Sequence, residues 1–160
     1  MNNATIILLI GFSMIVIIST LVFWILENEK SSFELEVCKD EPYCFSAKVT
    51  DVIDGDTIYV KHLTTGDPIR IRLSLVDTDE IDEPRYLEGK EFTEKLCPVG
   101  SIIIVDQDDG QLTDSYGRML AVVYCDGISL NKQLLEEGLA EINYEFCEES
   151  EYQNEDWSGC

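Results

Sequence analysis

Thr57-Ile58-Tyr59-Val60-Lys61-His62-Leu63, Thr64-Thr65-Gly66-Asp67-Pro68 and Ile69-Arg70-Ile71-Arg72-Leu73-Ser74-Leu75-Val76 follow one another in the chain. The outer runs are rich in β-branched and aromatic residues, and Ile69 to Leu73 alternates strictly between apolar and charged. Such alternation places every second side chain on one face of a half-buried strand. Gly and Pro in the middle run mark a turn. The stretch therefore predicts strand, turn and strand.

Working outward, Phe45 to Ile53 repeats the strand signal. Tyr86 to Leu96 carries Leu87, Phe92 and Leu96 near helical spacing, and Pro98 and Gly100 stop it. Ser101 to Val105 predicts a strand, Asp106 to Thr113 a loop, and Met119 to Cys125 a further strand. Ser129 caps a helix that runs through Glu137 and ends at Gly138. Leu139 to Tyr144 predicts a short extended return. Five short strands with two inserted helices predict a mainly β, α+β domain: a five-stranded OB-fold barrel.

The chain has 160 residues, enough for one ordinary core. Its 32 acids against 11 Lys and Arg give a net charge of -21. That excludes a simple basic DNA-coating protein, which binds by neutralising phosphates. It does not exclude an enzyme that meets phosphate through a metal ion. The one histidine, His62, excludes a His-rich zinc site. The chain lacks a P-loop and a G-x-S-x-G, which removes ordinary NTPase and α/β-hydrolase readings.

Ala4 to Leu26 holds no charged residue, and at about 1.5 Å per residue a helix of this length spans a bilayer core. Trp24 suits the interface near its end. A cleaved signal peptide is the rival. The uncharged Met1-Asn2-Asn3, the length of the run and the lack of an A-x-A-like site favour an uncleaved anchor. Residues 4–26 are thus expected to be a transmembrane helix, 27–43 an acidic linker, 44–147 the barrel and 148–160 an acidic tail.

Six cysteines behind a membrane segment suggest disulfides and an extracytoplasmic domain on a single-pass membrane protein. Fifteen pairings exist. Cys38 with Cys44 and Cys147 with Cys160 are the favoured local closures, and free buried thiols are the rival.

The chemistry lies in three stretches. Asp54-Gly55-Asp56-Thr57 alone reads as a turn. Arg70 to Glu80 places Arg72 among apolar neighbours, where a guanidinium needs an acid or a bound anion, and then ends in Asp77, Thr78, Asp79 and Glu80. Asp114-Ser115-Tyr116-Gly117-Arg118 alone reads as a polar turn. Together they supply hard oxygens for calcium, two arginines for a phosphate and a spare carboxylate to take a proton from water. That inventory suits cutting a phosphodiester. Asp106-Gln107-Asp108-Asp109-Gly110 has the wrong spacing for an EF-hand loop.

On these stretches, with Asn131 and Gly138-Leu139-Ala140, the chain resembles staphylococcal nuclease over about Phe45 to Phe146. The resemblance implies a calcium-dependent endonuclease that cuts DNA or RNA to 3′-phosphate ends. It implies Ca2+ held by the carboxylates of Asp56 and Asp77 and the carbonyl of Thr78. It implies Glu80 as water-activating base, Arg72 and Arg118 as phosphate-binding arginines, and Tyr116 and Tyr144 lining the nucleotide pocket. Departures are Asp79 where the family usually has proline, Ser115 in place of a basic residue, Phe146 in place of a second pocket tyrosine, and a short acidic tail in place of a long last helix.

The expected molecule is a monomer whose partners are a nucleic-acid substrate and a membrane. The alternative is a catalytically silent OB-fold module that binds a protein or nucleic-acid partner. All five side-chain roles are filled, which favours the enzyme.

Overall fold

The computed structural model describes residues 14–26, 28, 38 and 43–160. Two units are distinguished, Met1–Glu36 and Val37–Cys160. In the first, residues 14–26 are helical (α1), and their apolar side chains are exposed, among them Ile15, Phe23 and Trp24. Among the described residues no helix is long and apolar enough to cross a membrane. Residues 4–13 of the expected span, and most of the expected linker, lie outside the described residues.

The second unit is built on β1 (Cys44–Val52), β2 (Thr57–His62), β3 (Pro68–Leu73), β5 (Ile102–Gln107) and β6 (Met119–Cys125). Each follows its neighbour antiparallel in the order β3-β2-β1-β5-β6. A parallel pairing of β3 with β6 then closes the barrel and removes the open edges. Alternate residues point inward: Ala47, Val49, Ile58, Val60, Ile71, Leu73, Ile103, Val105, Ala121 and Val123 are buried in one core. The predicted OB-type barrel is therefore present, with β4 (Val76–Thr78), β7 (Ile128–Ser129) and β8 (Ala140–Ile142) added to its five strands.

The predicted strand through Val76 breaks at Ser74 and Leu75. Leu75 adopts φ 61°, a left-handed conformation uncommon for a branched apolar residue. Buried Asn131 holds this corner. Its Nδ2 donates to the carbonyls of Ser74 (3.0 Å) and Ala121 (3.2 Å), and its Oδ1 accepts from the Val123 amide (3.1 Å). The corner turns the chain into β4, which pairs with β8 so that Asp77 lies opposite Glu141.

Helix α2 (Tyr86–Leu96) packs on the turn between β1 and β2. Thr93 Oγ1 donates to the Gly55 carbonyl (2.6 Å) and the Tyr86 hydroxyl to the Ile53 carbonyl (3.2 Å). Gly55 is required there, because a Cβ would lie 2.7 Å from Thr78 Cγ2. Helix α3 (Leu130–Glu136) starts at Ser129, whose hydroxyl accepts from the Lys132 amide. It inserts Leu130 and Leu134 into the core.

Three disulfides are present. Cys38–Cys44 and Cys147–Cys160 are the two short closures favoured above, and Cys97–Cys125 ties the end of α2 to β6 across 28 residues. On chain entropy, a loop of that size contributes roughly 3–4 kcal/mol of stability. Residues beyond β8 form two 3-10 turns, Tyr144–Phe146 and Glu151–Asn154, rather than a long helix. They dock on the turn after β5. Buried Asp108 accepts from Ser150 Oγ (2.6 Å) and from the Glu151 amide (3.1 Å), and the Tyr152 hydroxyl donates to the Asp106 carbonyl (2.9 Å).

Candidate active site

The register of the barrel brings together the three stretches that are far apart in sequence. Thr57 in β2 lies opposite Arg72 in β3, and Arg72 lies beside Leu120 in β6, two residues past Arg118. Cross-strand partners project from the same face, so Thr57 and Arg72 share the outer face of the barrel. The second stretch continues past Arg72 around the Ser74–Leu75 corner and returns Asp77 to it.

Arg72 is the centre of the arrangement. Its Nη2 donates to Asp77 Oδ1 at 2.5 Å, and its Nη1 forms an ion pair with Asp56 Oδ1. Nη1 is buried and has no hydrogen-bond partner despite that ion pair. Burial pushes the guanidinium below its ordinary pKa; Asp77 opposes this, and the like charge of Arg118 adds to it. Two guanidiniums that feel each other in a half-buried setting favour an anion between them.

Asp56 is buried, with 4% of its surface exposed. Its Oδ2 accepts from the Thr78 amide (2.7 Å) and Thr78 Oγ1 (2.9 Å), and its Oδ1 accepts from Thr57 Oγ1 (3.2 Å). Thr78 therefore fixes the Asp56 carboxylate through its amide and hydroxyl. The Asp77 side chain is 56% exposed. Glu80 is exposed, and its carboxylate takes no hydrogen bond or ion pair among the described residues.

Arg118 is held by a residue to which the sequence reading gave no role. Asp114 Oδ2 accepts from Arg118 Nε at 2.5 Å, while its Oδ1 accepts from the amides of Tyr116 and Arg118, both at 2.9 Å. Burial raises the Asp114 pKa, but these hydrogen bonds outweigh it and hold the carboxyl below its usual value. The Arg118 Nη1 points at Thr57 Oγ1 at 3.4 Å. Arg118, Thr57, Asp56, Arg72 and Asp77 thus form a continuous polar chain.

A cavity of about 300 Å3 opens beside it, lined in part by Arg72, Arg118, Tyr116, Asp114, Asn143 and Phe146. Tyr116 is 82% exposed, with its ring 5.5 Å from the Arg118 guanidinium carbon. Tyr144, expected in the pocket, is 68% exposed; its neighbours Asn143 and Phe146 do the lining. Among the described residues no group of three or more acid, His or Cys side chains is gathered to hold a metal ion. Two carboxylates, Asp56 and Asp77, nevertheless converge on one cationic group, the Arg72 guanidinium.

The loop carrying Glu80 is closed by a clasp that the residue types alone did not reveal. The Asp79 carboxylate accepts from the Arg85 amide and from Arg85 Nη2, both at 2.9 Å, and Arg85 Nη1 donates to the Gly138 carbonyl. The hydrogen bond from the Arg85 amide holds the Asp79 carboxyl below its usual pKa; desolvation opposes it, and the Arg85 side chain adds to the lowering. Where the resembled family has a proline, this chain ties the loop with an ion pair.

Comparisons with known proteins show which family the sequence matches. Residues 70–157 match the family model described as staphylococcal nuclease homologue. The chain is 34% identical over 119 residues to "Endonuclease YncB" of Bacillus subtilis, covering 71% of this chain and 56% of the relative. It is 35% identical over 105 residues to "SPbeta prophage-derived endonuclease YokF" of the same organism, covering 62% and 35%. It is 31% identical over 134 residues to "Uncharacterized protein MJ1439" of Methanocaldococcus jannaschii, covering 66% and 64%. The chain thus spans between about a third and two thirds of the length of these relatives.

Proposed function

This chain belongs to the staphylococcal nuclease homologue family, and on that premise we propose that it is a calcium-dependent, membrane-anchored nuclease. The observation that carries the reading is the pair Arg72 and Arg118, lining one cavity and flanked by carboxylates. The names of the two Bacillus relatives support it.

Asp56 and Asp77, with the Thr78 carbonyl, would hold the calcium. The donor set fits: hard oxygens, two of them charged, already turned toward one positive group. Calcium takes about six to eight oxygens, so water and substrate oxygens complete the shell. When bound, it supplies positive charge to the phosphate and so lowers the cost of attack.

The chain's own residues do the rest. Glu80 accepts a proton from the attacking water, whose oxygen bonds to phosphorus while the P–O5′ bond breaks and the leaving O5′ takes a proton from solvent water. The products are a 3′-phosphate and a 5′-hydroxyl. Arg118 keeps its Nε on Asp114 and presents its outer nitrogens to the charge that grows on the phosphate oxygens. Arg72 exchanges its Asp contacts for phosphate oxygens, which would satisfy the Nη1 that lacks a hydrogen bond. Tyr116 and Tyr144 flank the nucleotide.

The test is to incubate the full chain with DNA and with RNA, in calcium or in chelator. Cleavage that needs calcium and leaves 3′-phosphate ends is expected. Undiminished cleavage in chelator sinks the metal assignment, and intact substrates in calcium sink the nuclease.

Residues 4–26 are proposed to anchor the barrel on the extracytoplasmic side, where its three disulfides would persist. Protease added to intact cells should digest the barrel. A barrel protected until lysis would reverse the topology.

A further inference from the structure

A chain with 32 acids has a carboxylate available for nearly every cation, so a cation left without one is informative. Among residues 43–160, Arg72, Arg85, Lys90, Arg118 and Lys132 are in ion pairs. Lys48, Lys61, Arg70 and Lys95 have no acid partner among the described residues. Lys95 sits in the last turn of α2, where helix carbonyls offset its charge. The other three fall on one surface.

The barrel register shows that surface. Lys48 lies opposite Lys61, Tyr59 opposite Arg70, and Thr57 opposite Arg72. Residues two apart on a strand share a face, so Lys61, Tyr59 and Thr57 point the same way, and Arg70 and Arg72 with them. All but Thr57 and Arg72 are exposed. The Arg70 guanidinium carbon lies 5.9 Å from the centre of the Tyr59 ring. The neighbouring Asp51 turns its carboxylate to the Val52 amide instead of to these cations. Two lysines directly opposite each other repel and lower sheet stability, an arrangement that an anion between them would reverse.

We propose that this exposed face of β1, β2 and β3 is an extended binding track for single-stranded nucleic acid, leading into the cavity at Arg72 and Arg118. It rests on the nuclease reading for its direction, and it adds Lys48, Lys61 and Arg70 as phosphate contacts and Tyr59 as a stacking platform. Charge complementarity selects the occupant: a polyanion with flat rings, met by three cations around one exposed aromatic ring. The size fits as well. Lys61 stands opposite Pro68, four residues from Arg72, so strand rise and strand spacing put Lys48 roughly 15 Å from Arg72. That is about four steps at the ~3.4 Å rise of one stacked strand. The track also bears on the charge problem. The net charge of -21 repels a polyanion at long range, whereas this face meets it with positive charge.

The experiment uses the full chain, a short labelled single-stranded oligonucleotide, and chelator to keep the strand intact, over a series of salt concentrations. In the triple variant Lys48→Ala, Lys61→Ala, Arg70→Ala, three lost phosphate contacts should flatten the plot of log affinity against log salt by about 2, at ~0.7 per contact. Tyr59→Ala should weaken binding about tenfold and leave the slope unchanged. With calcium, kcat/KM on a long strand should fall in the triple variant while a dinucleotide is cut at the wild-type rate. Thermal midpoints on the same preparations report the fold.

A wild-type salt slope in the triple variant overturns the track, as does an oligonucleotide that wild type does not bind. Polyglutamate binding in its place would identify an acidic protein as the occupant and overturn it equally. If wild type cuts nothing in calcium but the slope still flattens, the track stands and the nuclease reading falls.

Discussion

Arg118→Lys and Glu80→Gln should each lower calcium-dependent cleavage by on the order of a hundredfold or more, about 3 kcal/mol of transition-state stabilisation. The two act for different reasons. Arg118 spends its Nε on Asp114 and has two further nitrogens to present. Lysine keeps the charge but has no planar fork, so it cannot hold Asp114 and face a phosphate at once. Glutamine keeps the size of Glu80 and removes the proton acceptor. The Glu80 carboxylate makes no hydrogen bond or ion pair among the described residues, so its variant should melt with wild type. Arg72→Lys should lose as much activity and also some stability, because Arg72 is packed between two acids. Circular dichroism, thermal midpoint and cleavage on the same preparations decide it. Folded variants that cut near the wild-type rate would make these residues structural and favour the silent binding module.

Asp56→Asn and Asp77→Asn should separate metal binding from folding. Both remove half of the formal ligand charge, so both should raise the calcium needed for half-maximal cleavage. They should differ in stability. Asp56 is buried, accepts from Thr57 and from Thr78 twice, and forms an ion pair with Arg72. An amide there turns donors toward donors and leaves a buried guanidinium short of a partner, at a cost of roughly 3–5 kcal/mol. Asp77 is more than half exposed, and its loss should cost little. Titration of activity with calcium, beside urea melts, measures both. Equal melts for the two variants would overturn the structural role given to Asp56, and an unchanged calcium requirement in both would overturn the metal assignment.

The strands of the barrel were legible because their alternation is local. Ile69 to Leu73 announces its own faces, and the closing pair β3–β6 follows once five strands must share one core. The break at Leu75 was not legible, since Leu73, Leu75 and Val76 continue the strand signal while the backbone reverses under the hold of Asn131. The long-range contacts were hidden for the same reason. Asp114 looked like a turn residue, and only the structure shows it clamping Arg118. Asp79 looked like a missing proline, and Arg85, six residues on, supplies the tie. The two short disulfides were favoured on separation alone, whereas Cys97–Cys125 depends on where α2 meets β6.

The segment after β8 puts Asn143 and Phe146 into the cavity wall and is anchored on the Asp106 carbonyl, on Asp108, itself part of that wall, and by the Cys147–Cys160 bridge. Changes at Asn143 alter the shape offered to a nucleotide while both arginines keep their places, whereas changes at Phe146 also reach Val122 of β6. Opening the Cys147–Cys160 bridge should therefore loosen one wall of the cavity while the paired strands of the barrel keep Arg72 and Arg118 in place.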